Sequence, residues 1–225
     1  MDKALLIGGI VSLSTVDYPD NIAFVIFLQG CSWRCKYCHN KHLQSIELSQ
    51  SLPWVEILNL LETRKGFVDG VVFSGGEPLI QDILPVAMRE VKNMGFKIGL
   101  HTGGSLPNML AKVIPLVDWV GFDVKNVFEE YEEITGVANS GQMALQSLRM
   151  LIESNVNFEV RITMHESLNT TKIIDLLKDL SYMGVRTVAL QKCRNKDEIV
   201  IEHPIFSDKI LLEDISKYFD NLFIR

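Results

Sequence analysis

The sequence predicts an α/β fold: a mostly parallel sheet curled into a partial TIM-like (β/α)6 barrel, with its helices outside. Three observations predict it. Short β-branched apolar runs alternate with longer amphipathic stretches, the pattern of successive βαβ units. About six such units fit, where a full eight-unit barrel takes ~250 residues. Strand candidates in the chain interior also carry a polar row: Asn157, Glu159, Arg161 and Thr163 fall on one face, and Phe158, Val160 and Ile162 on the other. An open sheet with helices on both faces uses the same elements, and the polar row favours a curled sheet whose concave side lines a charged cavity.

In chain order, the apolar start Met1 to Val11 lacks the basic opening and small-residue cleavage site of a signal peptide. It reads as a strand or hairpin arm. Strands are then expected over 23–29, 70–74, 97–102, 119–124, 158–163 and 187–191. Helices are expected near 52–65, 80–93, 106–114, 141–153, 170–183 and 208–219, the last leading into 222–225. The organisation expected is a single domain over 1–225, with a core of about 20–191, an N-terminal arm (1–19) and a C-terminal extension (192–225). The acidic run Glu129, Glu130, Glu132 and Glu133 reads as a solvated helix face.

Composition excludes several classes. The 225 residues are 47% hydrophobic, which suits one sizeable core and not a disordered chain. A net charge of −6 argues against nucleic-acid or membrane-surface binding, which calls for a basic face. No apolar run approaches the ~20 residues of a membrane helix, so a cytoplasmic protein is expected. Only 4 cysteines are present, too few for a disulfide scaffold.

Three of the four, Cys31, Cys35 and Cys38, form a C-x3-C-x2-C loop directly after the first long strand. Thiols so close, in a polar loop opened by Gly30, suit a metal or cluster site better than core packing. Zinc would need a fourth ligand, such as His39 or His42. An iron–sulfur cluster usually takes four thiolates, so three would leave one iron open. Cys193 could be a fourth ligand or simply a packed thiol, and the second reading is preferred.

Other strand ends carry small-molecule chemistry. Ser74-Gly75-Gly76-Glu77-Pro78 is a strand-to-helix turn whose glycines keep side chains out of a ligand's path. His101-Thr102-Gly103-Gly104 repeats the idea one strand later. Asp123 and Lys125 follow on the next strand, then Arg161 and Thr163. In parallel α/β folds such ends share one rim, where active sites lie. Carboxylates and cations together suit an amino-acid-like ligand.

With these residues the chain resembles the radical S-adenosylmethionine superfamily. The cysteine loop with Tyr37 before its last Cys, together with Ser74-Gly75-Gly76-Glu77-Pro78, is that family's double signature. Asp17-Tyr18-Pro19, Cys38-His39-Asn40, Phe122-Asp123-Val124-Lys125, Ile134-Thr135-Gly136-Val137 and Glu159-Val160-Arg161-Ile162-Thr163 are similar to the activating enzymes of glycyl-radical enzymes. Among those they look most like anaerobic ribonucleoside-triphosphate reductase activating proteins. The likeness runs from about Gly9 to Leu190.

The resemblance implies one [4Fe-4S] cluster on Cys31, Cys35 and Cys38, its open iron chelated by S-adenosylmethionine. It implies Gly75, Gly76 and Glu77 at the methionine ammonium, Tyr37 beside the adenine, and Asp123, Lys125 and Arg161 at the ribose and carboxylate. Thr102 belongs with these as a cofactor-binding residue. The implied activity is that of an oxidoreductase: reductive cleavage of S-adenosylmethionine and formation of a glycyl radical on a partner, most readily anaerobic ribonucleotide reductase. A second glycyl-radical enzyme or a small-molecule substrate is the alternative. With no second cysteine cluster, electrons would come from an external donor such as flavodoxin or ferredoxin. His101 departs from the family, which often has Asp there; the missing carboxylate leaves open whether a cation sits beside S-adenosylmethionine, and His101 could be a satisfied core residue instead.

Overall fold

A computed structural model describes residues 5–47, 51–194 and 199–225. The first four residues of the arm and residues 195–198 of the extension therefore lie outside the described residues. Strand β1 (Ile7–Ser14) runs antiparallel to β2 (Ala23–Leu28). From β2 the sheet continues in parallel and in chain order through β3 (Gly70–Gly75), β4 (Lys97–Thr102), β5 (Trp119–Val124), β6 (Asn157–Met164) and β7 (Thr187–Arg194). These are the six expected strands. A short β8 (Val200–Ile201) pairs antiparallel with the end of β7, and β9 (Asn221–Ile224) joins β7 in parallel. The C-terminal segment thus extends the same sheet.

Helices α1 (Trp54–Arg64), α2 (Leu84–Asn93), α3 (Pro107–Val113), α5 (Ser140–Glu153), α6 (Thr170–Met183) and α7 (Lys209–Ser216) fall where periodicity places them. Two boundaries differ for local reasons. The stretch expected as one helix from residue 80 is a single 3-10 turn, Pro78–Ile80, followed by α2, which carries a proline at its start. The acidic run contains a short helix, α4 (Tyr131–Thr135), ended by Gly136 at φ 68°. Glu132 and Glu133 are exposed there, while Glu130 pairs with Lys172 at 2.5 Å.

Period-2 alternation sets up two cores. Phe24, Ile26 and Leu28 of β2, Val120 and Phe122 of β5, and Val160 and Ile162 of β6 pack outward into one large cluster with the helices. The opposite faces of the sheet meet each other: Ala23, Val25 and Phe27 of β2, Val72 of β3 and Trp119 of β5 surround Tyr18 in a small inner cluster. Side chains from separate strands can meet in this way only if the sheet curls. The interior is tight. A Cβ on Gly121 would stand 2.8 Å from the Arg161 guanidinium, so glycine there leaves room for Arg161 to lie across β5.

The polar row of β6 faces this interior. Glu159, 1% exposed, receives Nη1 and Nη2 of Arg225 at 2.8 and 2.9 Å, a bidentate pair that ties the end of the chain to the inner wall. Arg225→Ala leaves that carboxylate buried and unpaired. Because Arg225 is 37% exposed, the expected loss is about 1–3 kcal/mol in urea unfolding. Adding Glu159→Gln to the variant restores part of it.

Candidate active site

The cysteine loop leaves β2 and is held at both sides by backbone. Gly30 and Cys31 donate N–H bonds to Leu43 O and Gln44 O at 2.8 and 3.1 Å, and Arg34 and Lys36 donate to Thr135 O and Ile134 O at 2.8 and 3.1 Å. The Arg34 guanidinium folds back onto Cys31 O (2.6 Å) and Trp33 O (2.9 Å). Cys31 Sγ accepts the Trp33 backbone N–H at 3.4 Å. Cys31, Cys35, Cys38 and Cys193 are all free thiols.

The glycine turn after β3 is pressed against this loop. Gly76 N–H donates to Leu28 O at 2.9 Å and Glu77 N–H to Gly30 O at 2.8 Å. A Cβ on Gly75 would lie 2.3 Å from the Leu28 backbone, and one on Gly76 only 2.1 Å from Gly30 O. Glycine is needed here for strand-to-loop contact, a reason that sequence reading, with its emphasis on ligand access, did not find. Glu77 is buried and its carboxylate is already engaged. Oε1 accepts Leu79 N–H (3.1 Å) and Thr102 Oγ1–H (2.6 Å), and Oε2 accepts Gly103 N–H (3.0 Å). Burial raises its pKa, and the three donors oppose that.

Across the cavity stands a charge lattice. Asp123 Oδ1 accepts Arg161 Nε–H at 2.8 Å and Oδ2 accepts Lys125 Nζ–H at 3.0 Å. Burial pushes Asp123 upward, but the two cations outweigh it and hold the carboxylate well below its usual range. For Lys125 burial works downward, and Asp123 overrides it to raise the ammonium. The Lys125 backbone is fixed too: its N–H donates to Tyr131 Oη at 2.8 Å and its C=O accepts from His165 Nε2 at 2.8 Å. Tyr37 stacks on His165, with ring centres 4.8 Å apart. His101 donates from Nε2 to Asp17 O at 2.8 Å and lies edge-on to Trp119. Burial, reinforced by the Arg161 charge, lowers its pKa to about 3, so it is a neutral, satisfied ring.

One cavity of about 310 Å³ gathers all the residues expected from sequence: Cys31, Cys35, Tyr37, Cys38, Gly75, Gly76, Glu77, Thr102, Asp123, Lys125 and Arg161. Asp17, Trp33, Thr163 and Gln191 line it as well. Thr163 was legible from strand alternation with Arg161; Tyr131 and His165, which hold Lys125, had no local signal. A second chamber of about 470 Å³ shares Tyr37, Cys38 and His39 with the first and is bordered by Lys36, Lys41, His42, Arg194 and Glu166. Cys193 is 1% exposed and lines the second chamber, apart from the three-thiol cavity.

The thiols fit a cluster. Burial, with Glu77 beside it, pushes Cys31 up to about 12, and burial also raises Cys35, so neither is an activated nucleophile. Bound metal is the charge that would convert them to thiolates. Among the described residues no three His, Cys, Asp or Glu side chains converge on a single-ion site. A four-iron cluster needs no such convergence, because each thiolate holds a different iron. Two residues that border the cavity each bury a polar atom without a partner, Trp33 its Nε1 and Tyr37 its Oη.

Residues 25–180, more than half of the chain, match the family described as the Radical SAM superfamily. The chain belongs to this superfamily. Its enzymes use one [4Fe-4S] cluster and S-adenosylmethionine, and with that membership the zinc alternative falls away. A protein of Methanocaldococcus jannaschii assigned as a glycyl-radical enzyme activating enzyme is 32% identical over 98% of this chain and 95% of its own length. The pyruvate formate-lyase-activating enzyme of Clostridium pasteurianum is 34% identical over 60% of this chain and 59% of its own. SuiB of Streptococcus suis, solved bound to its precursor peptide SuiA, shares the fold, with a TM-score of 0.71 at 13% identity over 89% of this chain and 48% of SuiB. Among the described residues no helix is long and apolar enough to cross a membrane.

The neutral His101 sets a pH dependence. The unfolded chain takes up a proton at this ring below about pH 6.5, and the folded protein does not until about pH 3. Stability from this group is therefore complete above pH 6.5 and is lost as pH falls towards 3. The slope approaches ~1.4 kcal/mol per pH unit. Denaturation curves collected across this window check it, and His101→Gln should flatten the slope.

Proposed function

We propose that this chain is a glycyl-radical enzyme activating enzyme and that its partner is anaerobic ribonucleoside-triphosphate reductase. The observation that carries the reading is the meeting of three thiols with the Asp123–Lys125–Arg161 lattice in one cavity that adjoins a second, larger chamber. Cys31, Cys35 and Cys38 hold the cluster. Lys125 and Arg161, locked by Asp123, present cations to the methionine carboxylate and order the ribose. Tyr37, seated on His165, borders the adenine. Gly75, Gly76 and Glu77 face the methionine ammonium. The Thr102 hydroxyl and Gly103 amide occupy much of the Glu77 carboxylate, and Oε2 keeps a free lone pair for the ligand.

When bound, the reduced cluster and S-adenosylmethionine supply the 5′-deoxyadenosyl radical that takes a hydrogen atom from a glycine Cα of the partner. The chain's own part is to place, orient and shield. The second chamber, which shares Tyr37, Cys38 and His39 with the first, is where a glycine-bearing segment of the partner enters. Electrons come from an external flavodoxin or ferredoxin, and four free thiols suit a reducing cytoplasm. The choice of the reductase rests on the motif likeness around Asp17-Tyr18-Pro19 and Glu159 to Thr163.

The test is anaerobic reconstitution with iron, sulfide, S-adenosylmethionine and a reductant, then incubation with the reductase or with formate-lyase. Electron paramagnetic resonance should show a glycyl radical on the reductase. A radical on formate-lyase instead overturns the partner, and no radical with turnover of neither protein overturns the function. Cys31→Ala, Cys35→Ala or Cys38→Ala should abolish cluster assembly, read as loss of iron and of the cluster's visible absorption. Lys125→Ala or Arg161→Ala should keep the cluster and weaken S-adenosylmethionine binding by roughly 10- to 100-fold, the worth of a charged hydrogen bond. Unchanged affinity in calorimetry would remove these residues from the site.

A further inference from the structure

The second chamber, of about 470 Å³, is larger than the three-thiol cavity, and of the residues assigned to S-adenosylmethionine only Tyr37 lines it. Its charges are one-sided. Lys36, Lys41 and Arg194 border it together with a single carboxylate, Glu166. In a chain with 28 acidic and 22 basic residues, three permanent cations against one anion invert the overall sign locally. His39 and His42 stand among them and add no negative charge. The excess continues past the chamber: the adjoining hollow shares His39 and Arg194 and adds Lys192. Arg225 borders that hollow too, but it is committed to Glu159.

The lysines of the chamber are not neutralised from within the chain. Lys92, Lys125 and Lys172 each reach a carboxylate. Among the described residues, no such partner and no side-chain hydrogen bond meets Lys36 or Lys41, and both are exposed. Their backbone is nonetheless fixed. Lys36 N–H donates to Ile134 O at 3.1 Å. Lys41 and His42 lie in a short 3-10 turn, and the buried Gln29 side chain clamps its neighbourhood by donating Nε2–H to His42 O at 3.0 Å and to Ser45 O at 2.7 Å. Arg194 closes β7, where its backbone pairs with Val200 of β8. Ile134, Ile201 and the Tyr37 ring supply apolar lining between these charges. An apolar floor inside a charged rim is the anatomy of a polypeptide interface, whereas a free anion has no use for the floor.

We propose that the second chamber docks an acidic polypeptide segment: the stretch of the partner beside its reactive glycine carries Asp or Glu side chains that meet Lys36, Lys41 and Arg194, with an apolar neighbour on Ile134 and Ile201. The inference rests on the activating-enzyme reading and adds the chemistry by which the substrate segment is recognised. Because these cations are exposed, they act chiefly on encounter and on choice of partner, and salt screens them. A segment with lysines at the same places is repelled, so the rim selects as well as attracts.

The test uses the full chain, reconstituted anaerobically with S-adenosylmethionine, and three fluorescent peptides. Each has a central glycine and the same apolar residue, flanked by Glu, Gln or Lys, and binding is read by anisotropy. The Glu peptide should bind roughly tenfold more tightly than the Gln peptide, about what two or three exposed ion pairs contribute, and the Lys peptide should bind weakest. Raising the salt should erode this ranking. Lys36→Glu with Lys41→Glu should abolish the advantage of the Glu peptide, and Lys36→Arg with Lys41→Arg should keep it. Iron content and S-adenosylmethionine affinity check that each variant is intact. Equal binding of the three peptides, no binding of any, a preference for Lys, or a preference for Glu that survives the charge reversal overturns the proposal. Binding of ATP that the charge reversal abolishes, with no ranking among the peptides, would assign the chamber to a phosphate-bearing ligand and overturns it as well. Should the charge-reversed chain fail to fold, the ranking and its salt dependence on the wild type decide. The activating-enzyme reading fails separately, on the absence of a glycyl radical from the candidate partners, whatever the order of the peptides.

Discussion

The site depends on a backbone seam. Leu28 and Gly30, at the end of β2, accept hydrogen bonds from Gly76 and Glu77, just past β3. These two bonds bring the cysteine loop and the glycine turn together, although more than forty residues separate them in the chain. Space at the seam is so limited that a single methyl group on Gly76 would overlap a carbonyl oxygen. From there the geometry propagates: Glu77 takes hold of Thr102 at the end of β4 and of Gly103 just past it, and Gly103 in turn packs against Trp33 of the cysteine loop. The neighbouring parallel strands supply the rest of the rim in register, Asp123 lying opposite Arg161 across β5 and β6.

The second organising element is electrostatic. In a partly buried wall, Lys125 and Arg161 would repel each other and pay the desolvation of two cations; Asp123 between them offsets both and remains ionised at neutral pH. The result is a rigid pair of donors facing thiols that burial keeps protonated in the metal-free chain. Cations on one side and a sulfur-rich pole on the other give the cavity a polarity suited to a zwitterionic ligand beside a metal cluster. The outer core of β-branched and aromatic residues gives this arrangement its stiffness, since it fixes each strand from behind.

Much of this was legible in the sequence. The six parallel strands β2 to β7 all stood out as β-branched runs, and two of them, 97–102 and 119–124, match to the residue. The alternation in Asn157 to Thr163 pointed to a polar interior, which the inner positions of Glu159 and Arg161 bear out. Every cofactor-site residue named from the motifs lines the one cavity. What escaped has physical causes. The glycines of the turn satisfy a tertiary contact that no local pattern displays. Short elements such as α4 and β8 carry too few residues for a period to register. Tyr131 and His165 act only through Lys125's backbone, and Trp33's missing acceptor becomes apparent only once its neighbours are in place.

The central claim is that one cavity holds the cluster and S-adenosylmethionine together. Electron–nuclear double resonance on the reduced, anaerobically reconstituted protein with S-adenosylmethionine labelled with ¹⁵N in its amino group tests it most directly. The account predicts a resolved coupling between that nitrogen and the cluster, unaltered in Cys193→Ser. A loaded cluster with no such coupling, or one that is lost with Cys193, would contradict it.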